Sequence, residues 1–144
     1  MITIADLTVA SRVEPAALFA CWADMASWPE WNLDTEWVRL DGPFSTGSTG
    51  MLKPKGGPKV RFVLESVVPG REFVDVSRLV GARLTFAHHV ETLSDGRTSL
   101  RVSVTLDGPL ARLWNRILGK GIAQSLGPDT ERLLARAAEQ RVAA

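Results

Sequence analysis

The period of the apolar residues changes at Pro109, and that change restricts the fold more than any other feature of the chain. Before it, three segments alternate. Val60, Phe62 and Leu64 oppose Arg61 and Glu65; Leu84, Phe86, His88 and Val90 oppose Thr85, His89 and Glu91; Thr98, Leu100, Val102, Val104 and Leu106 oppose Ser99, Arg101, Ser103 and Asp107. After it, Leu110, Leu113, Trp114, Ile117, Leu118, Ile122, Leu126, Leu133, Leu134 and Ala137 hold a helical phase. An antiparallel sheet with one apolar face needs a cover, and a long amphipathic helix needs a surface to lie on. The two halves therefore predict a sheet crossed by a C-terminal helix, with Gly127-Pro128 expected to kink or break that helix.

Upstream, residues 2 to 12 are β-branched and read as a first strand whose phase blurs at Ala5-Asp6. Pro15 suits a first helical turn, and Leu18, Cys21, Trp22 and Met25 share one face of the helix that follows. A second short helical turn covers 26 to 31. Strand-like runs then occupy 35 to 41, 48 to 53, 59 to 68, 71 to 79, 82 to 93 and 97 to 107, punctuated by Asp41-Gly42-Pro43, Gly56-Gly57-Pro58, Pro69-Gly70 and Ser94-Asp95-Gly96. This is an antiparallel meander in a single domain spanning 1 to 144, with no repeat or linker.

Composition narrows the partners. A formal net charge of +1 with 45% hydrophobic and 23% charged residues supplies no field that would gather nucleic acid without a local patch. One cysteine and two histidines cannot close a disulfide or a Cys/His zinc site, so no metal is expected and a reducing cytoplasm fits. No apolar stretch reaches the roughly 18 residues of a membrane span, and the N-terminus does not read as a signal peptide. Whether the chain forms a homodimer stays open.

Several stretches together resemble a known group: SWPEWN leading into a strand, VRLDGPFSTGSTGMLKPKGG, VPGREF, LTFAHHVE, DGRTSLRVSVTLDGPLARLW and the Leu-rich helix beyond. Over nearly its whole length the chain is similar to the polyketide cyclase/dehydrase and lipid-transport group of the START/Bet v 1-like (SRPBCC) superfamily. The resemblance implies an α+β helix-grip fold: a curved antiparallel sheet of about seven strands, two short helices after strand 1, and a long C-terminal helix enclosing a hydrophobic cavity. It fixes no function, since the group holds cyclases, aromatases, carriers and receptors. Tyr is absent throughout, so a phenol proton donor of the kind some cyclases use is unavailable to this chain.

Strand alternation sends His88 to the side of Phe86 and Val90 and His89 to the other, so only one imidazole faces the cavity and the pair cannot chelate a metal. His88 could act as a general base, anchor a carbonyl ligand, or be an ordinary buried histidine. On the run before it, Phe73, Asp75, Ser77 and Leu79 oppose Val74, Val76 and Arg78, and neither row is apolar enough to identify the inner side. Asp75, if inward, could orient His88; Arg78, if inward, could hold a carboxylate or enolate.

The resemblance places Trp28 and Trp31 near the cavity mouth, with core packing the competing reading. Phe62, Leu64, Phe86, Trp114 and Leu118 are expected as apolar walls, and Trp37 only if its strand bulges inward. Gly119 and Gly121 give either room for a ligand or a local helix break. The basic run from Lys53 to Lys59 lacks the aromatics of a single-strand nucleic-acid platform and reads as a solvated hairpin loop. Arg112, Arg116 and Lys120 form a stripe opposite the apolar helix face, suited to anionic headgroups or simply to water. Neither GSTG at 47 to 50 nor Gly119-Lys120-Gly121 has the spacing of a nucleophile elbow or a phosphate loop, and no nucleotide or other cofactor is expected.

Three functions follow in order. The first is binding or transport of a small hydrophobic molecule such as a polyketide, lipid, isoprenoid or aromatic metabolite. The second is a cyclase/dehydratase-type enzyme with His88 as base. The third is a cochaperone-like interaction module.

Overall fold

The structure is a computed structural model that describes residues 1–143. Its elements are β1 (Ile2–Ser11), α1 (Pro15–Ala23), a 3₁₀ helix (Met25–Glu30), β2 (Thr35–Leu40), β3 (Thr49–Pro54), β4 (Val60–Val68), β5 (Glu72–Leu79), β6 (Ala82–Thr92), β7 (Thr98–Asp107), α2 (Ala111–Trp114), a π turn (Asn115–Gly119) and α3 (Lys120–Ala143). The seven strands form one antiparallel sheet in the order β1-β7-β6-β5-β4-β3-β2. This is the helix-grip architecture.

Strand β1 pairs with β7 while β2 is the far edge, so α1 and the 3₁₀ helix carry the chain from one edge of the sheet to the other. The blurred phase of the first strand is a register shift between Thr3 and Ala5, after which Leu7 and Val9 lie opposite Val102 and Leu100. A further shift between Leu64 and Ser66 lets β4 bend against β5.

Two apolar clusters form the core. The larger joins Leu18, Cys21 and Trp22 of α1 to Trp28, Trp31, Phe62, Leu64, Phe73, Val102, Leu133 and Ala137. The smaller gathers Leu84, Val104, Leu106 and Ala111, with Trp114, Leu118 and Ile122 packed against it. Leu126 of α3 touches both.

Of the two places where the sequence offers a helix break, Gly127-Pro128 stays helical and the irregularity falls at Gly119. Lys120–Ala143 runs as one α-helix with Pro128 inside it, and the irregular turn is Asn115–Gly119. A proline removes one N–H and one ladder bond, a defect of about 3 kcal/mol that burial of Leu133 and Ala137 offsets. In the π turn, Gly119 makes room for Asn115: a Cβ at 119 would collide with Asn115 Oδ1. Gly121 faces open space, so its missing side chain answers to no contact.

Candidate functional site

Pairing of β5 with β6 decides the question the sequence left open. Phe73 lies opposite His88 and Asp75 opposite Phe86, so Phe73, Asp75 and Ser77 share the inner face with His88, Phe86 and Leu84. Asp75 sits between Leu64 of β4 and Phe86 of β6. Its residual exposure is 8%, and among the described residues it has no hydrogen-bond or ionic partner. Burial pushes its carboxyl up to about 7, so near neutrality it holds its proton about half the time.

His88 is also buried, but its chemistry is committed elsewhere. The Phe73 carbonyl can only accept, so the Nδ1 that lies 3.1 Å from it carries the proton and donates. The imidazole stacks on the Phe73 ring and abuts Trp22, with centroids 3.9 and 5.2 Å away. Burial lowers its pKa to about 3, the Phe73 bond opposing only part of that. A ring so hard to protonate is a poor general base near pH 7.

Asp75 does not orient His88. The two occupy diagonal positions on neighbouring strands, a spacing of roughly 7–8 Å, and the imidazole proton already goes to Phe73. Arg78 is corrected outright: it is exposed and on the outer row with Val74 and Val76, opposite Arg83. Trp37 is likewise outside the cavity. Strand β2 does shift register between Thr35 and Trp37, but Val38 then turns inward and leaves Trp37 half-buried on the other side, opposite Lys53.

The tryptophans of SWPEWN are packed rather than lining an open mouth. Trp28 and Trp31 are each 7% exposed with ring centroids 5.5 Å apart, and Trp28 donates through Nε1 to the Trp22 carbonyl. Phe73 lies 5.0 Å from Trp22, 6.2 Å from Trp28 and 5.3 Å from Phe44. Aromatic rings in tilted and edge-on contact thus fill this end of the grip. Arg132 of α3 fastens the segment by donating to the Trp31 carbonyl and pairing with Asp129, and Arg136 pairs with Glu30. Asp129 is itself raised in pKa by burial, an effect that Arg132 partly opposes.

The other end is less completely covered. Ser77 and Phe86 of the inner face, Leu40 and Leu52 of β2 and β3, and Trp114, Leu118, Ile122 and Leu126 of the covering helices are all half-buried. Phe62 and Leu64 are sealed into the larger cluster. On the inner row of β5, Asp75 lies between Phe73 of the aromatic plug and the half-buried Ser77. Trp22 Nε1 and Trp31 Nε1 are buried donors without a partner, a further polar capacity in the interior.

The sequence reading missed Trp22 and Phe73 as neighbours of His88. Trp22 was legible as a buried face of α1; only the crossing of α1 over β5 and β6 brings it to the imidazole. A separate depression of about 660 Å³ on the outer face is lined by Thr8, Arg71, Glu72, His89, Glu91 and Arg101. At its edge Glu72 accepts from Ser66 and lies 3.5 Å from His89, and Arg101 pairs with Asp6.

No protein-family model matches the chain, and no curated protein matches it in sequence. Solved structures resemble it closely in shape. The ZhuI aromatase/cyclase from Streptomyces sp. R1128 superposes with a TM-score of 0.72 at 16% identity, covering 96% of this chain and 94% of that one. A START superfamily protein from Mycobacterium smegmatis gives 0.70 at 13% identity over 94% and 97% of the two chains. Ara h 8.0201 gives 0.68 at 17% identity over 94% and 97%. At these identities the likeness is one of fold alone.

Proposed function

We propose that the chain binds a small hydrophobic molecule between the inner sheet face and α3, with Asp75 taking the ligand's one polar group. The observation that carries this is Asp75 itself, a carboxyl that is nine-tenths buried, unpartnered among the described residues and set between Leu64 and Phe86 on the inner face. Burying a polar group without a partner costs roughly 1–3 kcal/mol, a cost that a ligand hydrogen bond would offset. A carboxyl near half-protonation donates to a carbonyl or accepts from a hydroxyl. Phe86, Trp114 and Leu118 would supply apolar walls of the kind such sites use. Polyketides, isoprenoids, lipids and aromatic metabolites all fit this description.

The test is to compare native and denaturing mass spectra of the freshly purified protein, then to titrate an environment-sensitive apolar dye into wild type and Asp75→Leu. A stoichiometric apolar molecule, or a displaceable dye, supports the reading. A weakening of roughly tenfold or more for a carbonyl-bearing ligand in the variant assigns the anchor. No binding by either protein would overturn it.

A second reading has one observation in its favour. A carboxyl poised near 7 suits proton transfer at neutral pH, which moves the cyclase/dehydratase hypothesis from His88 to Asp75. Asp75→Asn separates the two: turnover lost with affinity kept speaks for chemistry, and affinity lost in parallel speaks for a carrier.

A further inference from the structure

The β5–β6 hairpin tip and the start of the C-terminal helix join into one exposed apolar ridge. Gly81 adopts φ 70°, and the Leu110 side chain lies where its Cβ would be. Leu110 N–H donates to the Gly81 carbonyl, and Trp114 Nε1 donates to the Val80 carbonyl at 2.8 Å. These bonds hold the hairpin tip against the helix. Outward from this joint project Val80, Leu113 and Ile117, which are 78%, 49% and 61% exposed. Leu113 and Ile117 are one turn apart, so they form a strip rather than scattered residues. Single exposed apolar residues need no explanation, but a contiguous strip at a hydrogen-bonded corner does.

Charge surrounds the ridge with one sign. Arg112, Arg116 and Lys120 follow at the same spacing along the adjoining helix face, and all three are exposed. Arg78 and Arg83 stand opposite each other on the hairpin. Among the described residues no carboxylate pairs with Arg78, Arg112, Arg116 or Lys120. From Gly108 to Pro128 there is no acidic residue at all. The carboxylate just before that stretch, Asp107, is already shared by Arg83 and the N-terminal amine. With a net charge of only +1 for the whole chain, this is local segregation and not a general excess.

We propose that this corner docks reversibly on an anionic lipid bilayer, with Val80, Leu113 and Ile117 entering the interface and the four unpaired cations, Arg78, Arg112, Arg116 and Lys120, meeting headgroups. Apolar side chains flanked by Lys and Arg are the composition that interfacial binding rewards, and neither contribution suffices alone. Among the described residues no helix is long and apolar enough to span the membrane, so contact is peripheral. The ridge adjoins the half-buried Trp114 and Leu118. Docking itself does not depend on whether a ligand is bound inside.

The experiment is cosedimentation of the full chain with vesicles of equimolar phosphatidylglycerol and phosphatidylcholine, and with phosphatidylcholine alone, at low and high salt. Binding to the anionic vesicles alone, weakened by salt, is expected. Leu113→Ser/Ile117→Ser and, separately, Arg112→Glu/Arg116→Glu should each weaken it by roughly tenfold or more. Arg12→Glu, an exposed charge just past β1 at the opposite end of the sheet, should not. Circular dichroism and melting of the variants check that these exposed changes leave the fold intact. Absence of binding, or equal loss with Arg12→Glu, overturns the proposal. So does a ridge-dependent dimer in light scattering, which would give the strip to a second copy. A protein that binds dye internally but ignores vesicles refutes docking alone.

Discussion

The imidazole of His88 lies parallel to the ring of Phe73, the centroids 3.9 Å apart and the planes 5° from parallel, and it donates to the backbone carbonyl of the residue it stacks on. Both interactions suit a neutral ring. His88→Phe keeps the volume and the stack and loses one hydrogen bond, so its stability should fall by about 1 kcal/mol. His88→Ala leaves a void against Trp22 and Phe73 and should cost about 2–4 kcal/mol. Urea unfolding at pH 8 measures both. Equal costs would show that packing is not the role of the ring.

Asp75 and His88 impose opposite pH dependences. Burial raises Asp75 from 3.8 to about 7, so between those values the folded state holds a proton the unfolded chain has released, and stability falls as pH rises. Burial lowers His88 from 6.5 to about 3, so between those values the unfolded chain holds the extra proton, and stability falls as pH drops. Over roughly pH 4 to 6.5 the two slopes cancel in the wild type. In Asp75→Asn only the histidine slope remains: stability should climb with pH through that window, by as much as about 1.4 kcal/mol per unit. At pH 8 the variant should exceed the wild type by up to about 4 kcal/mol. Melting temperatures across pH 4 to 8 decide the matter, and a wild type and variant with parallel profiles would remove Asp75 as a buried, titrating group.

His88 and His89 were separable from sequence because alternation has period 2 and their neighbours on β6 are cleanly apolar or polar. Strand β5 offered no such contrast: Phe73, Asp75, Ser77 and Leu79 are as mixed as Val74, Val76 and Arg78. Only the register that sets Phe73 against His88 identifies the inner row, and with it Asp75. Trp28 and Trp31 showed their bulk but not their surroundings, which come from α1 and from Arg132, 101 residues beyond Trp31. Of the two helix breaks that the sequence offers, the one at Gly127-Pro128 does not form and the one at Gly119 does. Gly127-Pro128 is the stronger breaker by propensity, yet the Asn115–Gly119 contact depends on side-chain geometry that propensity does not carry.

Gly50 of β3 is a position where one methyl group is too many. A Cβ there would strike the Arg39 carbonyl and come within 2.5 Å of the Phe62 ring. The first is backbone across the β2–β3 ladder, and the second is 4% exposed, so neither can retreat cheaply. Gly50→Ala should destabilise the protein by roughly 3 kcal/mol or more. Gly121→Ala, which meets nothing within contact distance inside α3, should be neutral or stabilising by up to about 1 kcal/mol. Thermal unfolding of the two variants side by side gives the comparison; a mild Gly50→Ala would mean that β2 and β3 can part without loss.

Arg132 of α3 makes two different bonds, one to the tryptophan segment, Nε to the Trp31 carbonyl at 2.9 Å, and one within its own helix, a guanidinium nitrogen to Asp129. Asp129 is 8% exposed, so truncating Arg132 leaves a buried carboxylate without its counter-ion, held only by the Leu33 N–H, and the Trp31 carbonyl without its donor. Arg132→Ala should therefore cost about 2–3 kcal/mol, more than an exposed ion pair gives. Removing the carboxylate as well should recover part of the loss: Asp129→Asn in the Arg132→Ala background lifts the desolvation cost but leaves Trp31 untied. Tryptophan fluorescence reports the second effect separately, because Trp28 and Trp31 remain loosened in the double variant. If the double variant is no more stable than Arg132→Ala, the carboxylate of Asp129 was never a burden, and the link acts through the Trp31 carbonyl alone.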